Sequence, residues 1–280
     1  MVAAFLLTLS SWQVIHARNI LEWLHSYDVL RYDIEVTQKP RGMRVSCDVT
    51  LRVKRPGPLR FLITPSVSGL VVERDGARIP AHLGAGRFRP LELLLRGLGP
   101  IRNQAPTLLS IEPPEPLAKG TTATFRVSYH WTPGPQDMAY ADRQGVQTHL
   151  TSFWVPMMAD ELFEASIRVE PIGRPSTVLA TDTWEGGPPA QLLCVFVGDL
   201  RVHKRSVGEQ RLTVRHAPSL EIDAERVLDD LEAVLHLLES WLGPAGGSSF
   251  DLVIEPRGER PTPSFCAGPY VVIHPEALGQ

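Results

Sequence analysis

Polar and apolar residues alternate with a period of two over long stretches of this chain, the pattern a half-buried strand requires. Between Val29 and Val36, Leu30, Tyr32, Ile34 and Val36 fall on one side and Arg31, Asp33 and Glu35 on the other. Beyond a turn-forming Lys39-Pro40-Arg41-Gly42, Met43, Val45, Cys47, Val49, Leu51 and Val53 alternate with Arg44, Ser46, Asp48, Thr50 and Arg52. The two segments read as one long hairpin. Shorter strands are expected at 59–63, 70–73 and 91–95, with Asp75-Gly76 supplying left-handed turn residues before Ile79. From Thr121 to Trp131, Ala123, Phe125, Val127, Tyr129 and Trp131 face one way and leave His130 on the polar side. Residues 133–147 lack a period and are rich in turn formers, so a loop is expected before Phe153-Trp154-Val155-Pro156. Strands resume at 165–169, 178–181, 192–197 and 212–214.

The period changes at Pro218. Val227, Leu228, Leu231, Val234, Leu235, Leu238, Trp241 and Leu242 recur at helical spacing, with Asp223 placed to cap the start and Gly243-Pro244 to stop the helix. Strands follow at 250–255 and 270–274. Many short strands separated by turn signals predict a mainly β fold, an antiparallel sandwich or saddle over 27–217, and residues 218–280 then open an α/β element. Residues 1–26 stand apart. The run VAAFLLTL at 2–9 has the length of a signal-peptide core but lacks a basic segment before it, while Phe5, Leu9, Trp12, Ile15 and Ile20 fit an amphipathic helix equally well. Export and a packed or membrane-associated helix over 2–24 both stay open, and the compartment with them. The uncharged run is shorter than the ~20 apolar residues of a membrane span.

Composition narrows the function classes. The 280 residues include 43% hydrophobic ones, enough for a core, and the 25 prolines and 22 glycines have no period. A formal net charge of -3 without a basic face argues against nucleic-acid partners, and Arg201, His203, Lys204 and Arg205 read as a solvated strand face. Three scattered cysteines give neither a disulfide framework nor a zinc ribbon, and Cys47 reads as a small core residue.

Catalytic motifs are missing. A zinc peptidase places HExxH on a helix so that two histidines share one face and the glutamate activates the metal-bound water. None of the nine histidines has another four residues away, and His236 meets Ser240 at that spacing. No catalytic residue and no metal ligand is therefore assigned. Gly246-Gly247-Ser248-Ser249 reads as a loop rather than a nucleophile elbow, and Gly84-Ala85-Gly86 is too short for a dinucleotide fingerprint. Asp160, Glu161 and Glu164 read as loop charges.

The order of segments nevertheless resembles the zinc aminopeptidases of the aminopeptidase N and leukotriene A4 hydrolase type, over nearly the whole chain after residue 26. Tyr27-Asp28-Val29-Leu30-Arg31-Tyr32-Asp33-Ile34 is similar to the first strand of that family's β domain, and the strand through Val53 to its second. Phe125-Arg126-Val127-Ser128-Tyr129, Trp154-Val155-Pro156, Arg211 to His216 and the helix ending Trp241-Leu242-Gly243-Pro244 follow in the family's order. The resemblance implies that the helix opens a thermolysin-like catalytic domain. It also implies that Ser264, Phe265, Cys266, Ala267 and Gly268 occupy the place of the family's substrate-binding GxMEN loop. No glutamate stands between Ser264 and Tyr270, so the anchor for a substrate's free amino group is missing. By the resemblance, the HExxH helix would lie beyond Gln280. The chain is then expected to be an N-terminal portion, not catalytically competent by itself, with zinc and a peptide substrate belonging to the full-length protein and an exposed edge or apolar patch near the C-terminus. The alternative is a non-enzymatic β-sandwich scaffold that binds another chain or an extended peptide along its strand edges.

Overall fold

A computed structural model describes residues 26–84, 106–134, 139–148, 152–157, 163–180, 194–243, 249–254, 265–267 and 270–273. The N-terminal segment 1–25 and the strand expected at 91–95 lie outside them. Four sheets and one helix make up the described part. The largest sheet takes its length from the strongest alternation, in β1 (Tyr27–Gln38), β2 (Met43–Val53) and β8 (Thr122–Trp131). With β4 (Val67–Arg74), β5 (Ala77–Arg78) and β11 (Glu164–Glu170) it forms six strands in the order β11-β1-β2-β8-β4-β5. Every neighbouring pair is antiparallel except β1 with β11.

The inner face of this sheet carries Tyr32, Ile34, Cys47, Val49, Phe125, Val127 and Tyr129, all buried. Its outer face is laced by cross-strand polar pairs. Ser46 and Ser128 hydroxyls lie 3.1 Å apart, those of Thr50 and Thr124 2.9 Å, and Arg126 donates to Asp48 at 2.7 Å. Alternation misassigned one residue. Leu30 is more than a third exposed because the register slips between Val29 and Arg31, a bulge that turns Val29 inward and Leu30 out. The Asp75-Gly76 turn forms as expected, with φ of 54° and 77°, between β4 and β5.

A three-stranded sheet of β3 (Leu59–Ile63), β7 (Thr107–Ile111) and β6 (Ala81–Leu83) packs its apolar side chains into the same core. Trp154 and Val155 are buried in it too, and Tyr129 Oη donates to the Trp154 carbonyl. The loop expected over 133–147 is partly structured. Tyr140–Ala141 (β9) pairs with Val146–Gln147 (β10), and Asp142 Oδ1 accepts from the Gln144 and Gly145 amides inside the turn. Strands of two residues are too short to show a period, which is why the pattern missed them. They continue into a four-stranded sheet, β12-β13-β10-β9, with β12 (Thr177–Ala180) and β13 (Val195–Gly198).

The last sheet holds β14 (Arg201–Val207), β15 (Gln210–His216), β16 (Ser249–Ile254), β18 (Tyr270–Ile273) and β17 (Phe265–Ala267), in the order β14-β15-β16-β18-β17. Strands before and after Pro218 thus share one sheet, and β15, β16 and β18 run parallel. Helix α1 (Ala224–Leu242) crosses between β15 and β16, capped by Asp223, whose carboxylate accepts from the Arg226 amide, and closed where the Gly243 amide donates to the Glu239 carbonyl. Side chains of β16 alternate between two small cores. Leu252 and Ile254 meet Leu212, Val214, Val227 and Leu228 on the α1 side, while Val253, with Val272, meets Leu179, Cys194, Phe196 and Leu200 on the side of the four-stranded sheet. The sheet is covered on both faces, as parallel strands require.

Candidate functional site

Of the five residues expected in the substrate-binding loop, Phe265, Cys266 and Ala267 form β17, antiparallel to β18 with Cys266 opposite Val271. Ser264 and Gly268 lie outside the described residues. Among the described strands β17 ends its sheet, so one side of its backbone faces no further strand. An edge of this kind offers amide and carbonyl groups to an extended peptide.

A cleft of about 510 Å³ opens elsewhere, where the four-stranded sheet meets the end of β15. Tyr140, Arg143 and Gln144 of the β9–β10 hairpin form one wall, residues 196–200 a second, and Ala217 and Ser219 a third. The hairpin is held tightly. A Cβ on Gly145 would stand 2.3 Å from the Val197 carbonyl oxygen, so only glycine allows β10 to lie this close to β13. Asp199 accepts from the Ser176 amide at 2.9 Å, and the Gly42 amide donates to the Ala141 carbonyl at 2.7 Å, tying the hairpin to the β1–β2 turn.

The group Arg201, His203, Lys204 and Arg205 departs from the expected solvated face. Arg201 and Lys204 are exposed, but His203 and Arg205 lie on the face of β14 that meets α1. Arg205 donates to Asp229 at 2.5 Å, Glu225 at 2.8 Å and Glu232 at 3.2 Å, three carboxylates on successive turns of α1. His203 meets His216, their Nε2 atoms 3.2 Å apart. His216 is buried, and its Nδ1 lies 2.9 Å from the Ala217 carbonyl oxygen, to which it must donate. Burial pushes the His216 pKa down from its usual 6.5, with His203 and Arg201 adding to the effect, against an upward pull from the backbone carbonyls. Burial therefore favours the neutral ring. Spacing along the chain does not reveal this pair by itself, because the contact depends on the hairpin register. The Gly208-Glu209 turn between Val207 and Gln210 sets the register that places Arg201 opposite His216 and His203 opposite Val214.

Other ionisable groups are structural. Arg215 and Asp251, both nearly buried, pair at 3.3 Å between β15 and β16. Glu164, expected in a loop, begins β11 as an exposed residue 3.7 Å from Arg31, whereas Asp160 and Glu161 lie outside the described residues. His236 sits on exposed helix surface beside Glu232 and Glu239, at 3.8 and 3.7 Å. No group of three or more His, Cys, Asp or Glu able to hold a metal occurs among the described residues. The described residues therefore do not fit a peptidase zinc centre.

No protein-family model matches the chain, and no curated protein does. Solved structures do. The M1 zinc metallopeptidase of Deinococcus radiodurans, in a structure with a Tyr-Ser-Ala substrate bound, superposes with a TM-score of 0.55 at 17% identity, over 91% of this chain and 62% of that one. Yeast LTA4 hydrolase in complex with bestatin gives a TM-score of 0.59 at 15% identity, over 90% of this chain and 41% of that one. The chain has the fold of the M1 zinc metallopeptidases. It spans less than two thirds of the length of either protein. At these identities the likeness establishes the fold, and the mainly β architecture read from the sequence agrees with it.

Proposed function

We propose that this chain is the front portion of an M1-like zinc metallopeptidase, supplying the β scaffold and the peptide-binding edge of the catalytic layer, while peptide hydrolysis belongs to the intact protein. The observation that carries this reading is the placement of β17 at the end of a sheet backed by α1, in a chain whose fold matches the M1 enzymes over about nine tenths of its length. An extended peptide would add to β17 as a further strand, its main chain fixed by the edge amides and carbonyls. With no glutamate between Ser264 and Tyr270, this edge has no acid to hold a substrate's free amine.

Two measurements test the reading. Backbone amide NMR shifts should move at Phe265–Ala267 when a short peptide is titrated in, equally for the free and the N-acetylated form. Aminoacyl and peptidyl fluorogenic substrates should not turn over, with or without added zinc. Unmoved β17 amides at saturating peptide would end the proposal that this edge binds substrate, and chelator-sensitive turnover would overturn the assignment of hydrolysis to the intact protein. A second reading, a non-enzymatic interaction module, is favoured by one feature of α1: Val234, Leu237, Leu238 and Trp241 are all exposed, Trp241 by 72%.

A further inference from the structure

We propose that His203 and His216 form a two-histidine clamp for a first-row divalent metal such as Zn²⁺. Three features of the pair support this. The Nε2 atoms are 3.2 Å apart, and two imidazole ligands on a tetrahedral zinc, with bonds of ~2.0–2.1 Å, stand roughly 3.3 Å apart. The rings are nearly parallel, 17° apart, and their centroids are 5.2 Å apart. The centroids are therefore much further apart than the facing nitrogens. The rings meet tip to tip, with both Nε2 atoms in the narrow space between them, rather than stacking face on face. Finally, His216 Nδ1–H donates to the Ala217 carbonyl, so its lone pair lies on Nε2, the atom facing His203. A backbone carbonyl behind a ligating histidine is the usual means of fixing its tautomer and orientation.

In the metal-free chain His203 Nε2–H donates to His216 Nε2. Metal binding replaces that shared proton: His203 shifts to its other neutral tautomer, the Nε2 proton passing to solvent as Nδ1 takes one up, so that no net proton is released and both Nε2 lone pairs become ligands. The β14–β15 register holds both rings on the face toward α1, and the last intrahairpin pairings, Arg201 with His216 and Val202 with Arg215, keep them from drifting apart. No third His, Cys, Asp or Glu joins them among the described residues, so water fills the remaining positions. Arg201, directly opposite His216, opposes a cation but is exposed and free to extend into solvent. Two ligands supply about half of what a four-ligand structural site does, which places the dissociation constant at roughly 1–100 μM.

The test is a calorimetric titration of the dialysed full chain with Zn²⁺ at pH 7.5, beside ¹⁵N NMR of the histidine rings. One zinc per chain in that range is expected, with the His203 and His216 Nε2 signals moving together. His203→Ala, at a half-buried position, should weaken binding at least tenfold while the protein stays folded, and His216→Gln should do the same. Zinc binding of unchanged affinity in the folded His203→Ala protein, or ring signals of this pair that stay put at saturating zinc, would overturn the assignment. Should His216→Gln fail to fold, the His203 variant and the ring signals decide the matter alone.

Discussion

Gly42 and Gly76 provide a matched pair for testing how closely the β1–β2 turn is packed. Both have left-handed backbone, with φ of 84° and 77°. Around Gly76 nothing lies within 4 Å of where a Cβ would be. At Gly42 that atom would stand 2.3 Å from the Trp131 carbonyl oxygen and 2.8 Å from Thr132 Oγ1. Gly76→Ala therefore meets only the left-handed penalty, about 1–2 kcal/mol. Gly42→Ala meets the same penalty plus a clash with backbone that cannot move without disturbing β8, an overpacking cost of about 1–3 kcal/mol. Any shift of the turn to relieve that clash would also disturb the hydrogen bond that the Gly42 amide donates to the Ala141 carbonyl. The combined loss is about 2–5 kcal/mol, a large part of the ~5–15 kcal/mol that holds a domain folded. Urea unfolding followed by tryptophan fluorescence reads both. The expected result is a midpoint drop for Gly42→Ala about 1.5 to 4 times that for Gly76→Ala. Equal drops would refute the claim that the close approach to Trp131, rather than backbone handedness, makes glycine necessary at 42.

Three further outcomes follow from other parts of the structure. Cys47 and Cys194 are buried, and burial pushes the Cys194 thiol up to about 12, so neither should react with an alkylating agent at pH 8 until the chain is unfolded; more than one modified thiol per native chain would contradict this. Burial pushes the Asp28 carboxyl up, but Lys54 and Arg52 outweigh it and hold the native pKa below the ordinary 3.8. Its contribution is therefore present above that pH and lost as pH falls through the depressed native value; the stability gap between wild type and Asp28→Asn should shrink in thermal melts between pH 5 and pH 3, and a gap that widens would reverse the sign of the argument. The exposed stripe of Val234, Leu237, Leu238 and Trp241 should bind an apolar fluorescent dye, and Leu237→Glu with Trp241→Glu should cut the signal severalfold without unfolding the chain; an unchanged signal would place the dye elsewhere.

Long strands were legible in the sequence because one face of each is buried and the other wet, which forces alternation. β1, β2 and β8 follow this rule nearly throughout, and Leu30 breaks it only because a bulge shifts the phase by one residue. Strands of two residues obey no such rule. β9 and β10 exist because Val146 and Gln147 pair with Val197 and Phe196, some fifty residues onward, and long-range pairing of that kind leaves no local trace. Helix α1 shows the opposite limit. Its apolar period was plain, but the pattern cannot say what covers it: Val227 and Leu228 are buried against the sheet, while Val234, Leu238 and Trp241 of the same series are exposed. His203 and His216 were hidden by their separation of thirteen residues, which only the tight turn at Gly208-Glu209 converts into contact.

Fold and chemistry separate cleanly in this chain. The sheet that carries β17 needs only buried apolar residues on both faces, Leu252 and Ile254 toward α1 and Val253 toward Phe196, to set its edge in place. Those requirements are met by many sequences, so the architecture can persist at 15–17% identity to the M1 enzymes. Recognition of a substrate's amine is a different demand. It needs a carboxylate at one position, desolvated and aimed, and no packing rule supplies it. On the proposed reading, an edge kept without the acid would retain the direction and register of peptide binding but lose selection for a free N-terminus. For this reason the comparison of free and acetylated peptides on β17 says more about the site than affinity alone: a preference for the free amine would require an acidic group brought to this edge from outside the segment between Ser264 and Tyr270.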